Sequence, residues 1–253
     1  MHILLTNDDG YQAPGIARLA KTLMEHGHRV TVSAPDSERS AASHGISITV
    51  PLRAKEITVE GAAGWAISGT PADSARLGLY LMRDDAPDIC ISGINQGSNL
   101  GGACIYSGTV NAAMEASMAG CPAIAVSLAS FTDRNFAPAA EKAAAFLDYA
   151  VSHPLKRGEI YNINVPAGGN LRDGFWFTQT MGPDYLTDAR YEKFVSDYDN
   201  TYYFLDDGDN LQFFPPDSDT VKCSEGETTV SVLTWDIAVR GEGRFLAQGK
   251  MEI

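Results

Sequence analysis

The strongest constraint on the fold is a strand–helix–strand unit packed into about the first thirty-five residues. His2–Thr6 is a short apolar run, consistent with a buried strand. Pro14 suits the first turn of a helix, and Ile16, Leu19, Ala20 and Leu23 recur at helical spacing through Glu25. Gly27 breaks that pattern, and Arg29–Ala34 reads as a second strand. Two strands joined by a crossover helix run parallel, and parallel sheets need helices on both faces.

The alternation continues. Pro71–Met82, Thr109–Ala119 and Ala137–Val151 carry helical spacing, while Asp88–Ser92, Pro122–Leu128 and Glu159–Val165 read as buried strands. Ile46–Leu52, Glu56–Glu60 and Trp65–Ser68 are short β-like pieces, consistent with a local hairpin or meander. Pro35–Ser47 and Gly93–Ser107 read as loops. After Pro166 helical periodicity disappears and aromatic residues accumulate (Phe175, Trp176, Phe177, Tyr185, Tyr191, Tyr198, Tyr202, Tyr203, Phe204), with one clear strand at Thr228–Trp235. The expected fold is α/β: a Rossmann-like, doubly wound, mostly parallel sheet in three α/β/α layers over residues 1–166. A β-rich extension, read as an oligomerisation segment, follows over 167–253.

Charge narrows the partners. Nineteen Lys and Arg face 32 Asp and Glu, a formal net charge of −13, and no basic run is visible. Long nucleic acids and anionic membrane surfaces are disfavoured, since both are bound through clustered cations. An anionic ligand would need a local field that overcomes this charge. Cys90, Cys104, Cys121 and Cys223 form no C-x-x-C pair and have no zinc spacing, so they read as buried thiols in a reducing compartment. With no secretory leader pattern and no long apolar stretch, a soluble cytoplasmic protein is expected.

In an open parallel sheet, ligands bind beyond the carboxyl ends of the strands. Four such loops stand out. Thr6-Asn7-Asp8-Asp9-Gly10 sets two carboxylates side by side, a repulsion that a hard divalent cation would relieve, although Asp and Gly also serve in caps and turns. Residues 35–45 offer hydroxyls, Arg39 and His44. Residues 92–102 combine glycines, which admit close backbone approach, with Asn95 and Asn99. This stretch is neither a dinucleotide fingerprint nor a Walker loop. Tyr106-Ser107-Gly108-Thr109 opens a helix whose free N–H groups favour an anion. Together the loops offer cation ligands and a phosphate cradle, which answers the charge problem locally. A non-enzymatic anion-binding module and a sugar-nucleotide transferase are the rival readings.

These same residues resemble the SurE (survival protein E) family of 5′/3′-nucleotidases. The resemblance runs through Asn7-Asp8-Asp9-Gly10 with Ala13-Pro14-Gly15, Ala34-Pro35-Asp36 to Arg39-Ser40, and Ser68-Gly69-Thr70-Pro71-Ala72-Asp73. It continues through Ser92-Gly93-Ile94-Asn95, Asn99-Leu100-Gly101, Tyr106 to Val110 with Ala113-Met114-Glu115, and Asn162 to Pro166. It implies a metal-dependent phosphomonoesterase acting on nucleoside 5′- and 3′-monophosphates, with some members also degrading short polyphosphate. It implies one divalent cation per subunit, Mg²⁺ or Mn²⁺, held by Asp8, Asp9, Ser40 and Asn95, with Asp8 and Asp9 also catalytic. Asn7, Gly10, Ser43, Asn99, Ser107, Gly108 and Thr109 are the implied phosphate- and substrate-binding positions. A homodimer or tetramer is expected, partly through an exchanged C-terminal segment. The chain departs from the pattern late: residues 167–253 match only loosely, although 219–236, with Asp219, Gly226 and Asp236, resemble the family's late strand; the usual long C-terminal helix is not evident after Asp236, and Asn111 and Ala116-Ser117 are unusual for the motif helix.

Overall fold

The computed structural model describes residues 1–168, 171–179, 181, 190–196, 200–206 and 214–236. The opening unit forms as expected: β1 (His2–Thr6), α1 (Pro14–Glu25) and β2 (Arg29–Pro35), with β1 and β2 parallel. A hairpin of β3 (Ala54–Val59) and β4 (Ala62–Ile67) follows, then α2 (Pro71–Leu81), β5 (Ile89–Gln96), α3 (Gly108–Met118), β6 (Ala123–Ala129), α4 (Ala137–Ser152) and β7 (Glu159–Pro166). The main sheet has the order β3-β4-β2-β1-β5-β6-β7-β11-β8. Here β8 is Trp176–Thr178 and β11 is Thr229–Thr234. β1, β2, β4, β5, β6 and β7 are parallel to their neighbours in this run; β3, and β11 on β7, are antiparallel.

Alternation along the strands builds two cores. Ile3, Leu5, Ile89 and Ile91 face one way, against Ile16, Leu19 and Leu23 of α1 and Phe146 and Leu147 of α4. Leu4 and Cys90 face the other way, against Ala75 of α2 and Val110, Ala113 and Met114 of α3. Successive side chains of a strand point to opposite faces, so a continuous apolar run serves both layers.

The order of strands places the site. The chain leaves β1 for β2 and β4, then returns to β1's other flank as β5. Loops after β1 and β5 therefore part in opposite directions and open a crevice between them.

Several local expectations are corrected. Ile46–Leu52 is not a strand. Its Ser47 N–H and hydroxyl instead donate to Asp73, at 2.9 and 2.7 Å, so this segment is held by a side chain rather than a ladder. β5 runs four residues beyond Ser92, through a register shift between Ser92 and Asn95 against β6. Asn95 therefore stands on a strand end rather than in a loop. Residues Gly101–Ile105 form a 3-10 turn within the stretch read as loop. A short helix, α5 (Asp219–Ser224), interrupts the β-rich extension, where Ser218 caps it by accepting from the Val221 N–H.

The extension is attached to the core unevenly. Phe175 and Phe177 pack their rings on Phe146 of α4, at centroid distances of 5.1 and 6.1 Å. By contrast β9 (Arg190–Val195) and β10 (Thr201–Asp206), among the described residues, pair only with each other in a two-stranded antiparallel ribbon. The aromatics Tyr185 and Tyr198, and the C-terminal stretch 237–253, lie outside the described residues.

Candidate active site

Two hydrogen bonds bring the first two loops together. The Arg39 N–H donates to the Asp8 carbonyl at 2.8 Å, and the Tyr11 N–H to the Pro35 carbonyl at 2.9 Å. Ser40 is thereby carried to the end of β1. Asn7 is fully buried and spends its amide on the turn: Nδ2 donates to the Gly10 carbonyl and Oδ1 accepts from the Gly10 N–H. Gly10 itself has φ +94°, a left-handed conformation that favours glycine. These two residues build the loop that presents Asp8 and Asp9.

A cleft of about 450 Å³ opens at this point. Of the residues implicated from sequence, Asp8, Asp9, Ser40, Asn95, Asn99 and Ser107 line it. Asn7, Gly10, Ser43, Gly108 and Thr109 stand behind that lining. Ser43 donates to the Ile105 carbonyl at 2.7 Å and so ties the second loop to the 3-10 turn. Thr109 donates its hydroxyl to Asp8 Oδ1. Gly108 allows α3 to start directly on Asp8, since a β-carbon there would lie 2.7 Å from the Asp8 Cβ. Asn111 turns its amide back to the Ser107 carbonyl, and Ser117 donates to the Glu159 carbonyl, so both face away from the cleft.

The electrostatics single out the Asp pair. Burial pushes the Asp8 carboxyl above its ordinary range, against the opposing Thr109 hydrogen bond. Burial, then the neighbouring Asp8 charge, push Asp9 up to about 7, although the Gln96 N–H and Arg134 favour its ionised form. Among the described residues no Lys or Arg forms an ion pair with either carboxylate. Adjacent buried carboxylates with no counter-cation are costly, and a hard cation removes the cost.

The surrounding oxygens fit that role. Asn95 donates Nδ2 to the Gly97 carbonyl at 2.8 Å, which leaves Oδ1 as its available end. Ser40 donates to Glu38 at 2.6 Å and keeps its lone pairs. No group of three or more His, Cys, Asp or Glu side chains suited to a metal occurs among the described residues. The donor set is therefore two carboxylates plus neutral oxygens, which suits Mg²⁺ or Mn²⁺ rather than a softer ion.

The end of the cleft at the start of α3 is equally well braced. Ser107 caps α3, its Oγ accepting from the Val110 N–H at 3.1 Å. Asn99 is held from three sides. Its N–H donates to Asn164 Oδ1 at 2.7 Å, its carbonyl accepts from Asn162 and Asn164 at 2.9 Å each, and its Nδ2 donates to Ser127 at 2.8 Å. The paired asparagines of β7 thus acquire a positioning role that their sequence match alone did not specify. Two Asn two residues apart on a buried strand share one face, and that was the available signal. Sequence reasoning missed Gln96, Phe131 and Arg134, which also line the cleft. Arg134 and Phe131 sit in the loop after β6, at the carboxyl end of the sheet where ligands bind. Position was the only signal there, since the loop carries no recognisable motif.

Residues 3–185 match the family described as Survival protein SurE. A protein of Gloeobacter violaceus named 5′-nucleotidase SurE is 49% identical over 170 residues, which span 66% of this chain and 65% of that relative. A Synechococcus protein of the same name is 40% identical over 242 residues, 94% of this chain and 93% of the relative. A crystal structure of the SurE protein from Aquifex aeolicus superposes with a TM-score of 0.78 at 30% identity, covering 94% of this chain and 95% of that one. The match extends through the Asp pair, the β5 end and the α3 start, and this chain belongs to the SurE family.

Proposed function

We propose that this protein is a divalent-metal-dependent nucleotidase that hydrolyses nucleoside monophosphates to nucleoside and phosphate. The observation that carries this reading is the pair of buried Asp8 and half-buried Asp9, which no Lys or Arg among the described residues contacts as an ion pair, facing a cleft whose other wall is a helix N-terminus. The names of the relatives support the substrate class. Both 5′- and 3′-monophosphates, and short polyphosphate, are within the reading, because the cleft offers its polar groups to a phosphoryl end rather than to one ribose position.

The residues divide the work. Asp8, Asp9, Ser40 and Asn95 would hold one Mg²⁺ or Mn²⁺. When bound there, the ion supplies Lewis-acid polarisation of a phosphate oxygen and acidifies a water. Ser107, Asn99 and the N–H groups opening α3 bind the phosphoryl oxygens and neutralise charge that develops on them. Thr109 fixes Asp8 in place. Asp9, the less buried of the pair, orients the attacking water and accepts its proton. Phosphorylation of Asp8 itself is the alternative route, and trapping phospho-aspartate during turnover would select it.

The four cysteines are free and buried, and no helix among the described residues is long and apolar enough to cross a membrane. Work in the cytoplasm is the reading these features support. The β9–β10 ribbon exposes Tyr191, Phe194, Tyr203 and Phe204, which supports assembly into a homodimer or tetramer. The test of function is inorganic phosphate release from AMP, 3′-AMP and p-nitrophenyl phosphate, with and without Mn²⁺. Metal-dependent release from the nucleotides is expected. Binding without release, or turnover only with a sugar donor, would overturn the hydrolase.

A further inference from the structure

We infer that Phe131 is the stacking platform for the nucleobase, so that the cleft reads its substrate as a nucleotide rather than as any phosphate ester. This rests on the nucleotidase reading above.

Two phenylalanines stand five residues apart in the segment after β6. Phe136 is 4% exposed and belongs to the core; Phe131 is 73% exposed. An exposed aromatic is ordinary on a surface, but this one lines the same cleft as Asp9, Asn95 and Ser107. Its position is built rather than incidental. The ring rests on Gly97, where a β-carbon would come within 2.5 Å of Phe131 Cε1. Gly97 also has φ +110°, a conformation that favours glycine. The Phe131 carbonyl accepts from Gln96 Nε2 at 2.8 Å. Ser130 Oγ accepts from the Thr132 and Asp133 N–H groups at 3.2 and 3.0 Å, closing the turn that carries the ring.

The ring is therefore supported against Gly97 and left open to the cleft. The residues that brace it, Gln96 and Gly97, directly follow Asn95, so the ring is set at a fixed remove from the phosphate end. A planar apolar surface with one open face, in a cleft of small-molecule size, suits a planar aromatic ligand. Every base has a π-face, so a single ring accepts purines and pyrimidines alike, with purines favoured by their larger area. Arg134, in the same loop and on the same lining, adds a cation to this end of an otherwise acidic molecule.

The experiment compares AMP with ribose 5-phosphate, which lacks the base, in wild type and in Phe131→Ala, Phe131→Leu and Phe131→Trp, at saturating Mn²⁺. For AMP, Phe131→Ala should raise KM about tenfold or more with kcat within about twofold, in line with losses on removing a base-stacking ring. Phe131→Leu should fall between, and Phe131→Trp should restore wild-type KM. KM for ribose 5-phosphate should be unchanged throughout. Equal shifts for both substrates would make the ring a mere support of the cleft, and no shift for AMP would leave it outside the site; either overturns the platform alone. An altered oligomeric state with unaltered KM would assign the ring to a subunit contact and overturn it too. A wild type inert toward AMP would overturn the nucleotidase reading, and the platform with it.

Discussion

Two buried acidic sites flank helix α3, and they are solved in opposite ways. At its start, Asp8 is 5% exposed and among the described residues meets a hydroxyl, neighbouring carboxylates and backbone, with no ion-paired Lys or Arg. Toward its end, Glu115 is also 5% exposed, but His44 reaches it at 2.9 Å and Arg76 at 3.0 Å. The charges respond accordingly. The His44 hydrogen bond, against the cost of burial and with help from Arg76, holds Glu115 below the usual carboxylate range. Burial pushes Asp8 up, and with the Asp8 charge it pushes Asp9 up to about 7. At the same solvent exposure the two carboxyls thus shift in opposite directions. One site is complete within the chain and pins the 36–47 loop to α3; the other is incomplete, and in the function proposed above a cation from solution would finish it.

The largest effect that would sharpen this contrast is on catalysis. Asp9→Asn should cost about a hundredfold or more in kcat with Mn²⁺. The metal-free protein should keep, or slightly raise, its melting temperature at pH 8, because an unpaired charge is removed. Steady-state phosphate release and a thermal melt check both halves, and a large drop in melting temperature would assign Asp9 to structure.

Glu115→Gln should do the reverse. It breaks a completed cluster and should destabilise the fold by about 2 kcal/mol, below the usual cost of splitting a buried pair because Arg76 and His44 are partly open to water. Urea unfolding measures this. If kcat/KM at saturating metal fell as far as in Asp9→Asn, the two sites would not be distinct.

Gly108→Ala probes the contact between α3 and Asp8. A β-carbon 2.7 Å from the Asp8 Cβ must move the helix start or the carboxylate, and roughly a tenfold loss of kcat is expected. Normal kcat with normal metal affinity would show that the close approach is dispensable.

The smallest effect is in the pH dependence of stability without metal, and its sign separates the two sites. Asp9, raised on folding, contributes stability that is full below its unfolded value of 3.8 and is lost as pH rises through about 7. Glu115, lowered on folding, contributes stability that is present above 4.5 and is lost as pH falls through its depressed value. Asp9→Asn should flatten the neutral limb of the stability profile, and Glu115→Gln the acid limb. Swapped assignments would break the comparison.

Much of the site was legible because it is local. The apolar run ending in Asp8-Asp9, and the Ser107-Gly108-Thr109 start of a helix, are readable from adjacent residues. What was not legible depends on tertiary register. Asn95 was named from its sequence, but its place on a strand end follows from a shift of β5 against β6, which no window of sequence displays. Glu115 belonged to a motif of the resemblance but had no role assigned to it, since its partners come from a loop and from α2. Phe131 and Arg134 lie in a loop without a motif. The late segment was the hardest to read: buried Asp219 accepts from the Gly101 N–H at 2.8 Å, joining α5 to the active-site loops across 118 residues.

The central claim is that the Asp pair is completed by one divalent cation. Calorimetric titration of Mn²⁺ into EDTA-treated, dialysed protein at pH 7, wild type beside Asp9→Asn, tests it most directly. The account predicts one site per chain in wild type, with proton release on binding, and loss of that site in Asp9→Asn. Equal binding by both proteins, or no binding by wild type, would contradict it.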